Sequence, residues 1–150
     1  MEILNNTMQE LSQKLQSGDV SSKEATQAAL SQIEKTQDMG AWLHVASKEA
    51  MAQAEASDAR RKSNDALGPL DGIPLGLKDI FLTRDIPTTC GSKILEGFLP
   101  PYSAHVVEKL DAAGAVMLGK LNMDEFAMGS SNEHSAYGPV RNPWGENKVP

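Results

Sequence analysis

The chain has 150 residues, with 14 Lys+Arg against 20 Asp+Glu, a net charge of −6 and 40% hydrophobic residues. That composition is one soluble globular domain's worth of chain, and its acidic balance excludes nucleic-acid binding by a general electrostatic footprint. The single cysteine, Cys90, excludes an internal disulfide framework and points to a reducing cytosol. The start Met1-Glu2-Ile3-Leu4 shows no basic and then apolar segment, and no run nears the ~18 apolar residues of a membrane span, so a cytoplasmic chain off the membrane is expected.

The first half reads as helices. Thr7 and Glu10 have capping-box spacing, Met8, Leu11 and Leu15 follow at helical intervals, and Gly18 stops the helix. Ser21 and Glu24 repeat the box, and Ala25, Ala28, Ala29 and Ile33 form one apolar face. Trp42–Val45 reads as a short strand after Gly40. Ser47 is the expected cap of a third, alanine-rich helix through Arg61. The run Arg60-Arg61-Lys62 is read as cations complementing that helix's dipole, with a phosphate or RNA contact as the other reading.

The second half reads as α/β. After the turn cluster Gly68–Gly72, residues 75–81 read as a strand. A loop through Cys90 leads to a short helical piece at Ser92–Leu95. Ser103 is the expected cap of a helix carrying Val106, Val107 and Leu110, ended by Gly114. Residues 115–119 form an apolar run of buried-strand length, so 75–81 and 115–119 are expected as neighbouring parallel strands joined by that helix. Periodicity then fades over 122–150, which is rich in Gly, Ser, Asn and Pro.

Lys78 is the sharpest chemical candidate. Alternation puts it on one strand face with Gly76 and Ile80, and Gly76 leaves room for another group to approach. A lysine on an apolar face loses solvation and can serve as a neutral base; a lysine at a strand edge simply reaches water. His44, His105 and His134 share no metal-ligand spacing, and Glu133-His134 is adjacent rather than i, i+4, so no metal site is expected. Cys90 has no identifiable base beside it and reads as a small loop residue. Asp124-Glu125 reads as a cap or surface pair, and Gly129–Asn132 as a turn able to hold an anion or an amide. The glycine spacing fits neither a P-loop nor a dinucleotide fingerprint.

The string Gly68-Pro69-Leu70-Asp71-Gly72-Ile73-Pro74-Leu75-Gly76-Leu77-Lys78-Asp79 resembles the lysine motif of the amidase signature family. Thr88–Ser92, Gly119–Ser131 and Asn142-Pro143-Trp144 resemble the same family in order. Within it, Ser92–Glu96 and Asp124–Gly129 look most like the glutaminase subunit of bacterial Glu-tRNA(Gln)/Asp-tRNA(Asn) amidotransferases. The resemblance implies an α/β fold, with N-terminal helices and then part of a mixed, largely parallel sheet. It implies a helical stretch over 1–64, an α/β stretch with the lysine motif over 65–121, and a substrate-pocket loop over 122–150. The family works through a Ser–cis-Ser–Lys triad, in which the lysine acts on a bridging serine that activates the nucleophile. Lys78 matches the family lysine, and the resemblance implies that it is buried beside a substrate-binding turn at Met128, Gly129 and Ser130. None of Ser130, Ser131 or Ser135 matches the nucleophile, so the 150 residues alone are expected to be an inactive N-terminal fragment that aggregates or frays over 122–150. The implied partners are amidotransferase subunits B and C, glutamine, and misacylated tRNA held mainly by the partner. No cofactor is expected in this chain, ATP and Mg being used by the partner subunit. Another amidase-signature hydrolase of a small amide, or a non-catalytic binding fragment, stays open.

Overall fold

A computed structural model describes residues 3–145 and 147–150. Met1 and Glu2, used above for the chain start, and Glu146 within the 122–150 stretch lie outside the described residues. In chain order the elements are α1 (Met8–Ser17), α2 (Ser22–Lys35), β1 (Trp42–Val45), α3 (Ser47–Lys62), β2 (Pro74–Lys78), α4 (His105–Ala112) and β3 (Val116–Leu121). Single 3-10 turns form at Ile3–Asn5, Gln37–Met39, Lys93–Leu95 and Glu125–Ala127. The chain folds as two compact units. The first takes residues up to Gln32 with Ala46–Leu75 and Glu108–Leu118; the second takes Ile33–Val45, Gly76–Val107 and Gly119–Pro150.

Caps and small residues build the first unit. The Thr7 hydroxyl accepts the Glu10 N–H while the Glu10 carboxylate accepts the Thr7 N–H, and Gly18 closes α1 in the left-handed conformation. A cap of this kind is worth about 1 kcal/mol. Leu11 and Leu15 bury against Ala25 and Ile73, with Ile3 and Val20 packed around them. Met8 shares the helical spacing of Leu11 and Leu15 but, at the first residue of α1, is exposed. The start of α2 is held twice. Ser21 and Glu24 form the expected box, and Asp58 from α3 accepts the N–H groups of Ser22 and Lys23 at 2.7 and 3.1 Å. Ala50, Ala54 and Ser57 form the buried stripe of α3, one or two turns apart. A Cβ at Gly72 would meet Ser57 Oγ at 2.5 Å and Ser22 Cβ at 2.9 Å, so this turn needs glycine for space as well as for its φ of +82°. Ser47 does not cap α3: the N-cap position is Ala46, which makes no side-chain bond.

The basic run at the end of α3 does more than face a dipole. Arg60 grips the buried Asp71 carboxylate with two bonds, of 2.6 and 3.1 Å, and Arg61 donates to the Asp71 carbonyl at 2.5 Å. Burial pushes Asp71 up, but the bonds from Arg60 and the Leu67 N–H outweigh it and leave the carboxyl below its ordinary value. These two arginines therefore fasten the turn that precedes β2.

The sheet has three strands in the order β1-β3-β2. β1 runs antiparallel to β3, with His44 opposite Lys120 and Val45 opposite Gly119. A Cβ at Gly119 (φ +150°) would strike the His44 carbonyl oxygen, so glycine lets β1 come this close. The Ile73 carbonyl accepts the Val116 N–H and the Asp79 N–H donates to the Leu121 carbonyl. Low numbers meet low numbers at one end and high numbers at the other, so β2 and β3 are parallel, and the sheet is mixed as expected. β2 stops at Lys78 rather than reaching residue 81, and β3 continues past Gly119 to Leu121. Ser103 does not cap α4, which begins at His105; its hydroxyl accepts the Arg84 N–H instead.

Candidate active site

Lys78 is the last residue of β2. Leu77 on the opposite strand face is buried, while Lys78 is exposed. The buried position implied by the resemblance is thus not what the structure shows: the strand ends at this residue and leaves its side chain at the mouth of an open concavity. The room expected at Gly76 is already filled, since a Cβ there would meet the Trp42 ring at 2.7 Å and Leu121 Cδ1 at 3.1 Å. Ile80 lies beyond the strand, so the expected Gly76/Lys78/Ile80 face is only two residues long.

The concavity has a volume of about 340 Å³, and Lys78, Asp124, Gly129, Ser130 and Asn132 line it. Lys78 and two of the three expected substrate-turn residues thus share one depression. Met128 does not line it and is 73% exposed.

Asp124 shapes the loop. Its buried carboxylate accepts the N–H groups of Asn132 and His134, both at 2.9 Å, and its side chain fills the space that a Cβ at Gly129 would need. The loop thereby closes on a carboxylate rather than on an apolar core; Asp124 stands at the N-cap position of the Glu125–Ala127 turn but makes no side-chain cap bond there, and it is buried rather than on the surface. The His134 N–H outweighs burial and, with the Asn132 N–H and the charges of His134 and Lys78, holds the Asp124 carboxyl below its ordinary value. Its neighbour Glu125 accepts the Ser92 hydroxyl at 2.5 Å. Asn132 makes a second tie, its side-chain oxygen accepting the Val140 N–H at 2.6 Å. Four residues of these loops, Cys90, Phe126, Ala127 and Asn132, hold positive φ between 52° and 61° without being glycine. Each such residue stores about 1–3 kcal/mol of strain, and strain of this kind gathers at binding and catalytic sites.

A second lysine lies on the neighbouring strand. Lys120 is fully buried in β3. Its ammonium donates to the Phe81 carbonyl and the Thr88 hydroxyl, both at 2.8 Å, and pairs with Asp79 Oδ1 at 3.1 Å. Two of the ammonium's donors are thus hydrogen-bonded, and it meets Asp79 as an ion pair, with Oδ1 accepting no hydrogen bond. The other Asp79 oxygen accepts the Thr89 N–H at 2.8 Å and the Thr89 hydroxyl at 2.6 Å. Burial pushes Lys120 down from its ordinary value, and Asp79 opposes that push. Sequence reasoning misses this cluster. The signal is present, since Val116, Leu118 and Lys120 alternate onto one face of β3, but the apolar run that marks the strand ends at Gly119.

Cys90 is half-buried, and burial, with the charge of Asp79, raises its thiol above the ordinary value. That disfavours thiolate, as the loop reading expects. Among the described residues no group of three His, Cys, Asp or Glu could hold a metal ion, and no helix is long and apolar enough to cross a membrane.

Residues 24–150 match the family model described as Amidase. The chain is 55% identical, over its whole length, to the A-subunit of the glutamyl-tRNA(Gln) amidotransferase of Myxococcus xanthus (strain DK1622), of which it spans 31%. It is 53% identical over 99% of its length to the corresponding protein of Streptomyces coelicolor, of which it spans 30%. The fold is similar to that of native peptide amidase from Stenotrophomonas maltophilia, with a TM-score of 0.86 and 32% identity over 95% of this chain and 31% of that one. A chain from a vestigial complex that reveals the origins of an s-triazine catabolic enzyme superposes with a TM-score of 0.90 and 37% identity, over 96% of this chain and 32% of that one. The motifs around Lys78 and the 119–131 loop lie inside the matched region, and the chain belongs to the amidase signature family.

Proposed function

We propose that the chain is the N-terminal part of the glutaminase subunit of a bacterial tRNA-dependent amidotransferase. One observation carries the reading. Lys78, on the family's lysine motif, lines the same concavity as Gly129 and Ser130, in a chain 55% identical throughout to a glutamyl-tRNA(Gln) amidotransferase A-subunit.

In this reading Lys78 is the base of a Ser–cis-Ser–Lys triad. Lys78 acts on the bridging serine, which in turn draws the proton from the nucleophilic serine as that attacks the carboxamide of glutamine. Neither serine has a counterpart among these 150 residues, so both come from the rest of the polypeptide. The Gly129–Ser130 turn, braced by Asp124, offers backbone N–H groups and hydroxyls to the polar end of the substrate, and Met128 stands outside it at the rim. The ammonia released passes to a partner subunit, which uses ATP and Mg to amidate misacylated Glu-tRNA(Gln) or Asp-tRNA(Asn). Subunits B and C complete the complex in the cytoplasm, and its place is in protein biosynthesis.

The test is ammonia release from glutamine by the full-length protein in its complex, with and without Lys78→Ala. Loss of release in the variant supports the assignment, and an active variant refutes it. The structural likeness to a peptide amidase favours a second reading, hydrolysis of another small amide. A wild-type complex that ignores glutamine but cleaves peptide amides would select it.

A further inference from the structure

We infer that Lys120 is a positioning residue for the proposed amide-hydrolysing site. It locks the end of β2 that carries Lys78 to the loops that shape the concavity. The inference rests on the proposed function for what Lys78 does, and on geometry for how it is held.

Two rigid links meet at Asp79, the residue after Lys78. Its N–H is fixed to the Leu121 carbonyl, and its carboxylate is shared between Lys120 and Thr89. The backbone that carries Lys78 therefore ends in a knot tied by a hydrogen bond to Leu121, an ion pair with Lys120 and two hydrogen bonds from Thr89. From that knot the connection runs on through Thr88 and Thr89 into Cys90 and Gly91. The Cys90 carbonyl accepts the Phe126 N–H and the Gly91 carbonyl accepts the Ala136 N–H, both at 2.9 Å. A Cβ at Gly91 would strike the Met123 carbonyl oxygen, so the two loops are in backbone contact. Phe126 and Ala136 bracket the turn at Gly129 and Ser130, and Asp124 lies just before it. Lys120 thus holds both walls of the concavity through one ammonium, without reaching the concavity itself; it is absent from the lining.

A lysine is suited to this place. One ammonium can join Asp79 and Phe81, just past the end of β2, to Thr88 in the loop that follows, which no apolar residue of similar length can do. An apolar residue would fill the volume and leave the Phe81 carbonyl, the Thr88 hydroxyl and Asp79 unjoined.

The test separates positioning from plain stability. Lys120→Met alone leaves the Asp79 charge buried and unpaired, whereas Lys120→Met with Asp79→Asn removes both charges and recovers stability. The two are compared with wild type in the full-length protein within its complex, by melting temperature, kcat and KM for glutamine, and amide exchange at Phe126 and Ala136. The double variant is expected to melt with the wild type, to exchange faster at both amides, and to keep a kcat about 10–100-fold low with little change in KM, the cost of a misplaced reacting group. A double variant that regains kcat with its melting temperature overturns the inference. A second variant, Thr89→Val, keeps the ion pair and cuts the link to the loop; wild-type kcat in it also overturns the inference. If the wild-type complex hydrolyses no amide, the proposed function fails. The exchange at Phe126 and Ala136 then decides alone, and unchanged protection in Lys120→Met overturns the brace.

Discussion

Lys78 and Lys120 lie on neighbouring parallel strands of one small sheet and meet opposite fates. Lys78 ends β2 and is exposed, whereas Lys120 sits in β3 among Val116, Met117 and Leu118 and has no surface at all. One argument, that a lysine on an apolar strand face is desolvated and therefore chemical, points at Lys78; its physical conditions are met at Lys120. The difference is one of partners. Lys120 donates to two fixed acceptors, pairs with the Asp79 carboxylate and serves as a joint. Lys78 faces an open concavity beside a carboxylate that is already committed to backbone N–H groups, so its amine remains available. Burial marks the lysine that acts as a joint, and exposure into a shaped cavity marks the one to which the proposed function assigns the chemistry.

The sharpest way to break that comparison is to remove each lysine and read activity. In the full-length protein, Lys78→Ala is expected to lower glutamine hydrolysis by about 10³-fold or more while the melting temperature stays put, because a triad fails as a unit. Lys78→Arg is expected to fail as well, since a guanidinium does not give up its proton near neutral pH. Substantial turnover by either variant removes Lys78 from the site.

Stability reverses the order. Lys120→Met is expected to destabilise by about 3–5 kcal/mol, the cost of leaving a buried charge without its partner. Lys78→Met is expected to stay within about 0.5 kcal/mol, as surface changes do. Urea unfolding of both variants checks the pair, and equal losses would mean that Lys78 is as structural as Lys120.

Chemical labelling sharpens the same contrast without mutation. Under brief reductive methylation, Lys78 is expected to modify with the surface lysines and Lys120 last, only as the fold opens. Peptide mapping reads it, and early labelling of Lys120 would show that its burial is not maintained in solution.

These contrasts also show what the sequence could reveal. The caps at Thr7/Glu10 and Ser21/Glu24 were legible because a capping box is local: both partners lie three residues apart. Ser47 and Ser103 look like caps by the same rule and are not, because neighbouring segments decide. Ser103's hydroxyl is claimed by Arg84, 19 residues away. The motif at 68–79 marks Lys78, but not that Trp42 fills the space over Gly76. Arg60 and Arg61 read as dipole partners because Asp71, which they hold, is reached only through the fold. Asp124 and Lys120 are hidden for the same reason: their partners at 132–134 and at 79–88 become neighbours only when loops close.

The smallest expected effect separates the two walls of the site by pH. Asp124 lies below its ordinary value in the folded chain, chiefly because it accepts the His134 N–H. A carboxyl depressed on folding binds its proton more readily in the unfolded chain. Its contribution is therefore complete above the unfolded value, 3.8, and is lost as pH falls below that and through the folded pKa. As acidification passes through that lowered folded pKa, the N–H groups of Asn132 and His134 lose a charged acceptor, which weakens each bond about twofold. The 124–134 loop is expected to loosen around Lys78. Asp124→Asn, which accepts without charge, is expected to bring that looser loop to neutral pH and to remove its dependence on acid. Amide chemical shifts of Asn132 and His134, followed in both proteins from neutral pH into acid until the fold is lost, give the readout. If the two amides shift with acid identically in wild type and Asp124→Asn, another group governs the loop, and Asp124 is not what holds it beside Lys78.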